Sequence, residues 1–393
     1  MGQSPPSSTV NDDDVGIPFL QGNADFGSEF PIPRVYCTDP AKLCESEDVL
    51  ISVRAPVGAI NRADRVYCIG RGLAAVRFTG VDARLGWHLL QHSARMLNTV
   101  AQGSTFEAVN SDNLAALNVS DVPSKEQRAI TAILDSADAD IQAADALVAK
   151  LRLEREGLLH DLLTRGIDES GALRELDAHP EQFKDTELGR IPAEWKIEKL
   201  GSCTDIGSGT TPSRDVLDYW EDGTIAWVKT GEVKYNLIIE TTETITHRAV
   251  LDSHMHIYKP NTVLVAMYGQ GDTRGRIAIL GINATINQAC AALVSFPKIL
   301  HAQFLFYCLM RQYDDLRTLS QGSNQSNLNS NLLSQFPLLL PPYNEQVLIA
   351  DILNSHQAHI SIQESHRDKL RAIKTGLMDD LLTGRVRVHD LEG

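Results

Sequence analysis

Nothing in this chain approaches the ~20 consecutive apolar residues that a helix needs to cross a bilayer, although 43% of its 393 residues are hydrophobic. Its opening MGQSPPSSTV has neither a basic stretch nor an apolar run after it, so no secretory signal is expected. The six cysteines (Cys37, Cys44, Cys68, Cys203, Cys290, Cys308) are scattered, with no CxxC and no repeated spacing. That argues against a disulfide framework or a zinc site and for reduced thiols in a cytoplasmic protein. No GxxxxGK[ST] loop occurs, and Gly269-x-Gly271 lacks the strand–turn–helix setting of a cofactor loop. Neither ATP nor S-adenosylmethionine is therefore expected to bind here. Positive charge is also short, 36 Lys and Arg against 51 Asp and Glu, which disfavours an indiscriminate polyanion binder. The deficit is uneven: 123–187 holds 15 acidic residues against 8 basic, whereas 188–341 holds 14 against 13. The second half can still present a basic face.

What the chain does have is a repeat. With an offset of 219, Gln102–Thr164 matches Gln321–Thr383 without a gap, and 24 of the 63 pairs are identical, where unrelated sequences would share about 4. The best-matched pieces are QGS at Gln102–Ser104 and Gln321–Ser323, then Pro123, Glu126, Gln127 and Ile130 against Pro342, Glu345, Gln346 and Ile349. GLLHDLLT (Gly157–Thr164) likewise faces GLMDDLLT (Gly376–Thr383). A chain built from two similar but unequal modules suits a target with two similar but unequal parts. Outside the repeat the register loosens: Gly2 to Gln102 is 100 residues and Gly207 to Gln321 is 114.

Periodicity divides the chain further. Residues 1–122 and 200–341 carry short Val- and Ile-rich runs broken by Gly, Pro, Asn and Asp. Asp48–Ile60 and Asn261–Leu280 each read as strand, turn, strand. Helical stretches are expected at Leu85–Val100 and Ala302–Leu319, giving two mixed α/β domains with largely antiparallel sheets. Residues 123–166 and 342–384 instead carry one apolar seam each. Ile130, Leu134, Ile141, Val148, Leu151, Leu158 and Leu162 recur at 3–4 spacing, as do Ile349, Leu353, Ile360, Leu370, Leu377 and Leu381. Ser124 with Gln127 predicts a capping-box start, and Gly166 a C-terminal stop. Each helix would be about 60 Å long at 1.5 Å per residue. An unpartnered seam is not stable in water, so the two helices are expected to pair antiparallel as a coiled coil, giving a pseudo-two-fold repeat. Residues 167–199 read as a linker ending in a strand near Trp195–Leu200, and 385–393 as a tail.

Motifs of chemistry are few. Leu340-Pro-Pro-Tyr343 matches the last three positions of the D/N-P-P-Y/F tetrad of amino-methyltransferases, but Leu stands where that chemistry needs an amide or carboxylate acceptor. Glu232-Val233-Lys234 fits half of a nuclease carboxylate site without the upstream Pro-Asp. His88 and His92 have the i,i+4 spacing of two zinc ligands, yet their repeat counterparts are Tyr307 and Arg311. No catalytic residue and no metal site is assigned.

The order of these features resembles the specificity subunit of type I DNA restriction–modification systems. The resemblance is carried by Gly2–Asn11 with Gly16–Phe26, by Ser52–Asn61, by the QGS junctions, by PSKEQRAI and PPYNEQVLI at the helix starts, and by TRGID and Leu188–Gly201. It implies that each α/β unit is a target-recognition domain reading one half of a split double-stranded DNA site. The helices would set the spacing and dock two modification subunits, and two restriction subunits can join them. It also implies no cofactor on this chain: S-adenosylmethionine would sit on the modification partner, ATP and Mg on the restriction partner. One departure is that Trp195–Cys203 precedes the second domain and has no counterpart before Gly2. The expectation is that the first sheet lacks its opening strand unless the tail Arg385–Val388 (RVRV) supplies it.

The physics of readout points to the same residues' roles. Base edges return to the same face about every 10 base pairs, so two readers need a fixed separation. A four-residue change in helix length would move one reader by roughly 6 Å, and the helices should therefore set the gap in the site. Base discrimination needs forked donors and amides beside phosphate-binding groups. In the first domain these are Gln21, Asn23, Arg54, Arg62, Arg71 and Ser104. In the second they are Lys229, Lys234, Tyr268, Gln270, Arg274, Arg276, Asn324 and Gln325. Rival readings are a related bipartite system whose partner fuses methylation and cleavage, an enzyme acting by itself, and an adaptor without a DNA role.

Overall fold

The computed structural model describes residues 1–102, 109–269, 272–319 and 327–388, with only the backbone of 95–102. Ser104, Gln270, Asn324 and Gln325 lie outside the described residues. The chain forms two compact units: Met1–Leu147 with Gln363–Gly393, and Val148–Ile362. Each unit takes part of both long helices, which span Gln127–Leu162 and Tyr343–Leu382.

In the first unit the strands Val10–Asn11, Val35–Cys37, Ile17–Leu20, Tyr67–Ile69 and Leu43–Cys44 form one sheet in that spatial order. Ile60–Arg62, Val49–Ser52 and Leu73–Val76 form a second, antiparallel sheet. Val49–Ser52 is buried throughout, and apolar up to Ser52, because both of its faces are covered. Val49 and Ile51 meet Trp87, Leu90 and Ala94 of the helix Ala83–Gln102, while Leu50 meets Leu20, Tyr67 and Ile69 of the other sheet. Alternation along a strand, sandwiched between two apolar layers, produces such a run.

The second unit repeats the plan. Val263 and Val265 face Phe304 and Leu305 of the helix Ala302–Arg311, and Leu264 and Ala266 face Val228 and Ile286. Its five-stranded sheet runs Thr204–Ser208, Cys290–Ser295, Val263–Ala266, Ile277–Leu280, Leu237–Ile238. The three-stranded one runs Thr244–Ile245, Ile225–Val228, Ala284–Ile286. The expected helix Ala302–Leu319 is interrupted at Gln312 and resumes as Tyr313–Thr318. All six cysteines are free and buried.

The long helices pack antiparallel inside each unit. In the first, Ile130 and Leu134 share a core with Met378, Leu381 and Leu382. In the second, Leu159 and Leu162 share one with Ile349 and Leu353. Val148, Leu151 and Ile360 are buried as well, while Ile141, Leu158, Leu370 and Leu377 are half-buried. At 158 and 377 the seam shifts by one residue in both copies, so that Leu159 and Met378 are the buried members. The helix starts also differ from the expected capping box. Rather than Ser124 capping, Gln127 reaches back and donates from Nε2 to the Val122 carbonyl at 2.9 Å, and Gln346 does the same to Pro341 at 2.9 Å.

Two other expectations are corrected. Residues 167–199 are more than a linker: Phe183–Thr186 and Gly189–Pro192 form a hairpin ahead of the expected strand, which spans Lys196–Lys199 and pairs with Pro337–Leu340. Arg385–Val388 forms no strand. Gly384, at φ +72°, turns the chain back, Val388 enters the core of Ile130 and Leu134, and Arg387 pairs with Glu126 at 2.7 Å. An alternating RVRV pattern is satisfied here by one buried valine and one ion pair.

Candidate nucleic-acid interface

In each unit a short strap lies over the turn that joins two successive strands, Tyr67–Ile69 to Leu73–Val76 in the first and Ala284–Ile286 to Cys290–Ser295 in the second. Gly2 and Gln3 donate to the carbonyls of Leu73 (2.8 Å) and Ile69 (2.9 Å); Gly209 and Thr210 donate to Cys290 (3.4 Å) and Ile286 (3.0 Å). A Cβ on Gly2 would meet the Gly70 oxygen at 2.3 Å, and one on Gly209 the Asn287 oxygen at 2.1 Å. Glycine is what lets the strap lie flat. The neighbouring bonds repeat too. Val53 donates to Gly72 (2.9 Å) as Met267 donates to Ala289 (2.8 Å), and Gly70 to Leu20 (2.8 Å) as Asn287 to Val228 (3.0 Å).

This backbone frame places side chains in matched positions. In the first unit, Ser4, Gln21, Asn23, Arg54 and Arg71 line one cleft of about 600 Å³. Two arginines and no carboxylate line it, and neither guanidinium meets a carboxylate among the described residues. The corresponding positions of the second unit hold Thr211, Lys229, Tyr268 and Gln288. Thr211 donates to the Gln288 side-chain oxygen, as the Ser4 hydroxyl accepts from the Arg71 backbone at 3.4 Å. Tyr268 is exposed. Beside them Glu243 bridges Lys229 and Arg214, each at 2.7 Å, and these bonds hold its carboxyl below the usual range. Arg214 also stacks over Trp220 at 3.6 Å. A stacked guanidinium is held in one orientation ready for a planar or anionic partner.

Other sequence candidates stand elsewhere. Arg62 is outside the first cleft, held by Glu29 (2.8 Å) and Glu47 (3.0 Å) and over Phe30. Lys234 is exposed on a shallow cleft with Asn236 and Thr241. Arg274 and Arg276 are half-buried at the turn before Ile277–Leu280. Reading by residue type missed Ser4, Thr211, Arg214 and Gln288. The strap motif GQSPP against GTTPS carried the signal for the first two.

The motifs of chemistry resolve into structural roles. Both carboxylate oxygens of Glu232 accept backbone N–H groups, from Lys229 and Thr242, each at 2.7 Å, and Asp25 takes the N–H of Gln21 in the same way at 2.7 Å. His88 does meet carboxylates, donating to Asp135 at 2.8 Å with Asp138 at 3.9 Å. That trio has the spacing of a cation site. Lys374 on Asp138 and Arg84 on Asp135 already supply the countercharge, however, at 2.5 and 2.6 Å. His92 turns away to Asp379 at 2.9 Å.

The model of the type I restriction modification DNA specificity domain matches this chain at residues 6–150 and 192–372. The chain belongs to that family. A putative type I restriction enzyme specificity subunit, MjaX of Methanocaldococcus jannaschii, is 37% identical over 166 residues, covering 42% of this chain and 39% of that one. The MjaVIII specificity subunit of the same organism is 26% identical over 276 residues, covering 68% and 62%. The chain thus spans less than two thirds of either relative. The S subunit of a type I restriction–modification system from M. genitalium has the same fold, with a TM-score of 0.57 at 14% identity over 97% of this chain and 92% of that one. A chain from a structure of type I R-M complex assembly gives 0.59 at 18% identity over 96% and 95%. Most of each match falls in a different unit of the fold.

Proposed function

We propose that this chain is the DNA sequence-recognition subunit of a type I restriction–modification complex, non-catalytic itself and acting in the cytoplasm on a split double-stranded site. The observation that supports it is the pair of matched backbone frames: one presents Gln21, Arg54 and Arg71 in the first unit, where they line a cleft, and the other presents Lys229, Tyr268 and Gln288 in the second. Equal frames with unequal donors suit two half-sites of different sequence, since arginine and lysine read guanine edges and glutamine reads adenine, and these residues stand at different positions in the two frames. The net charge of −15 does not oppose this, because the first cleft is lined by arginines without carboxylates.

In this reading the long helices set the gap between the half-sites and dock two modification subunits, with two restriction subunits joining where cleavage occurs. S-adenosylmethionine would be held by the modification partner, and ATP with Mg by the restriction partner. No helix among the described residues is long and apolar enough to cross a membrane. Methylation mapping of DNA from cells expressing the chain with its modification partner tests the proposal. A split methylated motif is expected, and a single continuous motif would contradict it.

A further inference from the structure

The three-helix joints of the two units match position for position but differ in chemistry. In the first unit, Arg84 and His88 of the helix Ala83–Gln102 bond Asp135, at 2.6 and 2.8 Å, and Lys374 bonds Asp138 and Gln91, at 2.5 and 2.7 Å. An offset of 219 carries this set onto the second unit. There Tyr307 donates to Asn354 at 2.8 Å, Asn354 donates to Gln303, and Arg155 donates to Gln357 at 2.8 Å. Aspartates become amides, His88 becomes Tyr307, and Gln91 becomes Met310.

The apolar seams tell the two seats apart only weakly, because Ile130/Ile349, Leu134/Leu353 and Ile141/Ile360 are identical pairs and the buried difference is Leu159 against Met378. The polar sets do so by charge. His88 and Lys374 are buried, and a buried charge is tolerated only with its partner. The helix of the second unit placed on the first seat would set Met310 against Lys374 and leave Asp135 without its arginine. The helix of the first unit placed on the second seat would set Arg84 among amides beside Arg155, with no carboxylate in the set.

We infer that these networks are keys, admitting each recognition domain's helix only onto its own seat and excluding the other domain's helix, whether from the same chain or from a second copy. This holds whatever the domains bind. The ionic key also responds to acid. Burial pushes the His88 imidazole down from its usual 6.5, against the opposing pull of Asp135, with Lys374 adding to the depression. A depressed pKa leaves full stability above 6.5 and loses it as pH falls toward the folded value. The groups facing His88 are Asp135 and Asp138, Lys374, and on its own helix Arg84 and Gln91, with Glu29 bonded to Arg84. The amide key has no such group. His301, depressed by burial with Asp351 raising it, gives the second unit an acid response of its own, which wild type supplies as the baseline.

The test transplants the ionic key into the second unit of the full-length chain. One variant carries Gln303→Arg, Tyr307→His and Met310→Gln; another adds Asn354→Asp, Gln357→Asp and Arg155→Lys. Hydrogen exchange of residues 302–311, corrected for intrinsic rates, should show about tenfold lower protection in the first variant. Protection should be restored in the second, which should also lose it more steeply than wild type below pH 6.5. Wild-type protection in the helix-only variant, or no recovery with the matched seat, would overturn the inference. Should the matched variant not fold, the mirror set decides. Arg84→Gln, His88→Tyr and Gln91→Met with Asp135→Asn, Asp138→Gln and Lys374→Arg must fold and lose the acid response of residues 83–94, or the keys are not exchangeable units.

Discussion

The two long helices begin with the same glutamate and use it differently. Glu345 is buried and saturated. It accepts the Ile167 N–H at 3.0 Å, the Trp195 indole at 3.1 Å and Arg174 at 2.5 and 3.3 Å. Glu126, its repeat counterpart, accepts Arg387 at 2.7 Å and, at 3.5 Å, the Val388 N–H. In each unit the residues that follow one helix are tied to the start of the other, so the glutamate closes the helix pair. One closure is sealed by a tryptophan, an arginine and a backbone amide; the other rests on an arginine whose side chain is 41% exposed. A repeated residue thus marks a repeated job, and burial decides how much that job is worth.

The largest expected effect follows from this contrast. Glu345→Ala leaves Arg174 buried without its carboxylate, which should cost about 3–5 kcal/mol, whereas Glu126→Ala should cost about 1 kcal/mol or less. Urea unfolding of the full chain followed by tryptophan fluorescence measures both, and equal losses would break the comparison. The glycines that end the helices sharpen it. Gly166 (φ +63°) faces Glu345 and Trp195 so closely that a Cβ would lie 2.2 and 2.5 Å from them, while at Gly384 (φ +72°) the nearest atom is 3.7 Å away. Gly384→Ala should therefore cost only the ~1 kcal/mol of a left-handed alanine. Gly166→Ala should cost at least twice that by the same measurement, because overpacking adds about 1–3 kcal/mol. Equal melts for the two would mean that the Glu345 socket yields.

At the matched positions of the two frames, Arg54→Ala and Tyr268→Ala should each relax one half of the recognised site and leave the other half intact. Each should weaken binding by about 1–3 kcal/mol in competition with half-site variants, at fixed salt. A uniform loss over all sequences would reassign that residue to phosphate contact. The smallest effect is expected at Arg62→Ala, since Glu29 and Glu47 already hold it. A change in half-site preference there would move the interface beyond the cleft.

The helical seams were readable because a 3–4 spacing survives any partner, and Ile130, Leu134, Ile349 and Leu353 stand where it places them. So were the strand–turn–strand pairs, whose runs of Val, Leu and Ile record two covered faces. Residue type alone picked out Gln21, Asn23, Arg54 and Arg71, which the first cleft brings together. Gln288 stayed hidden because strap and strands follow different offsets, so the repeat loses register between the residues that converge. Asp135 and Lys374 around His88 were invisible for another reason, their separation by 47 and 286 residues along the chain. The RVRV tail misled because a two-residue period also fits a turn that buries one valine.

The straps have one more consequence, for how such a protein can change. Ser4, Gln21, Arg54 and Arg71, like Thr211, Lys229 and Gln288, lie outside every apolar cluster, on backbone held by main-chain bonds and by the carboxylates of Asp25 and Glu232. Substitutions there alter what is presented and leave the core untouched. Inherited variation can accumulate at these few sites while the fold is conserved, and each unit can drift in preference without the other.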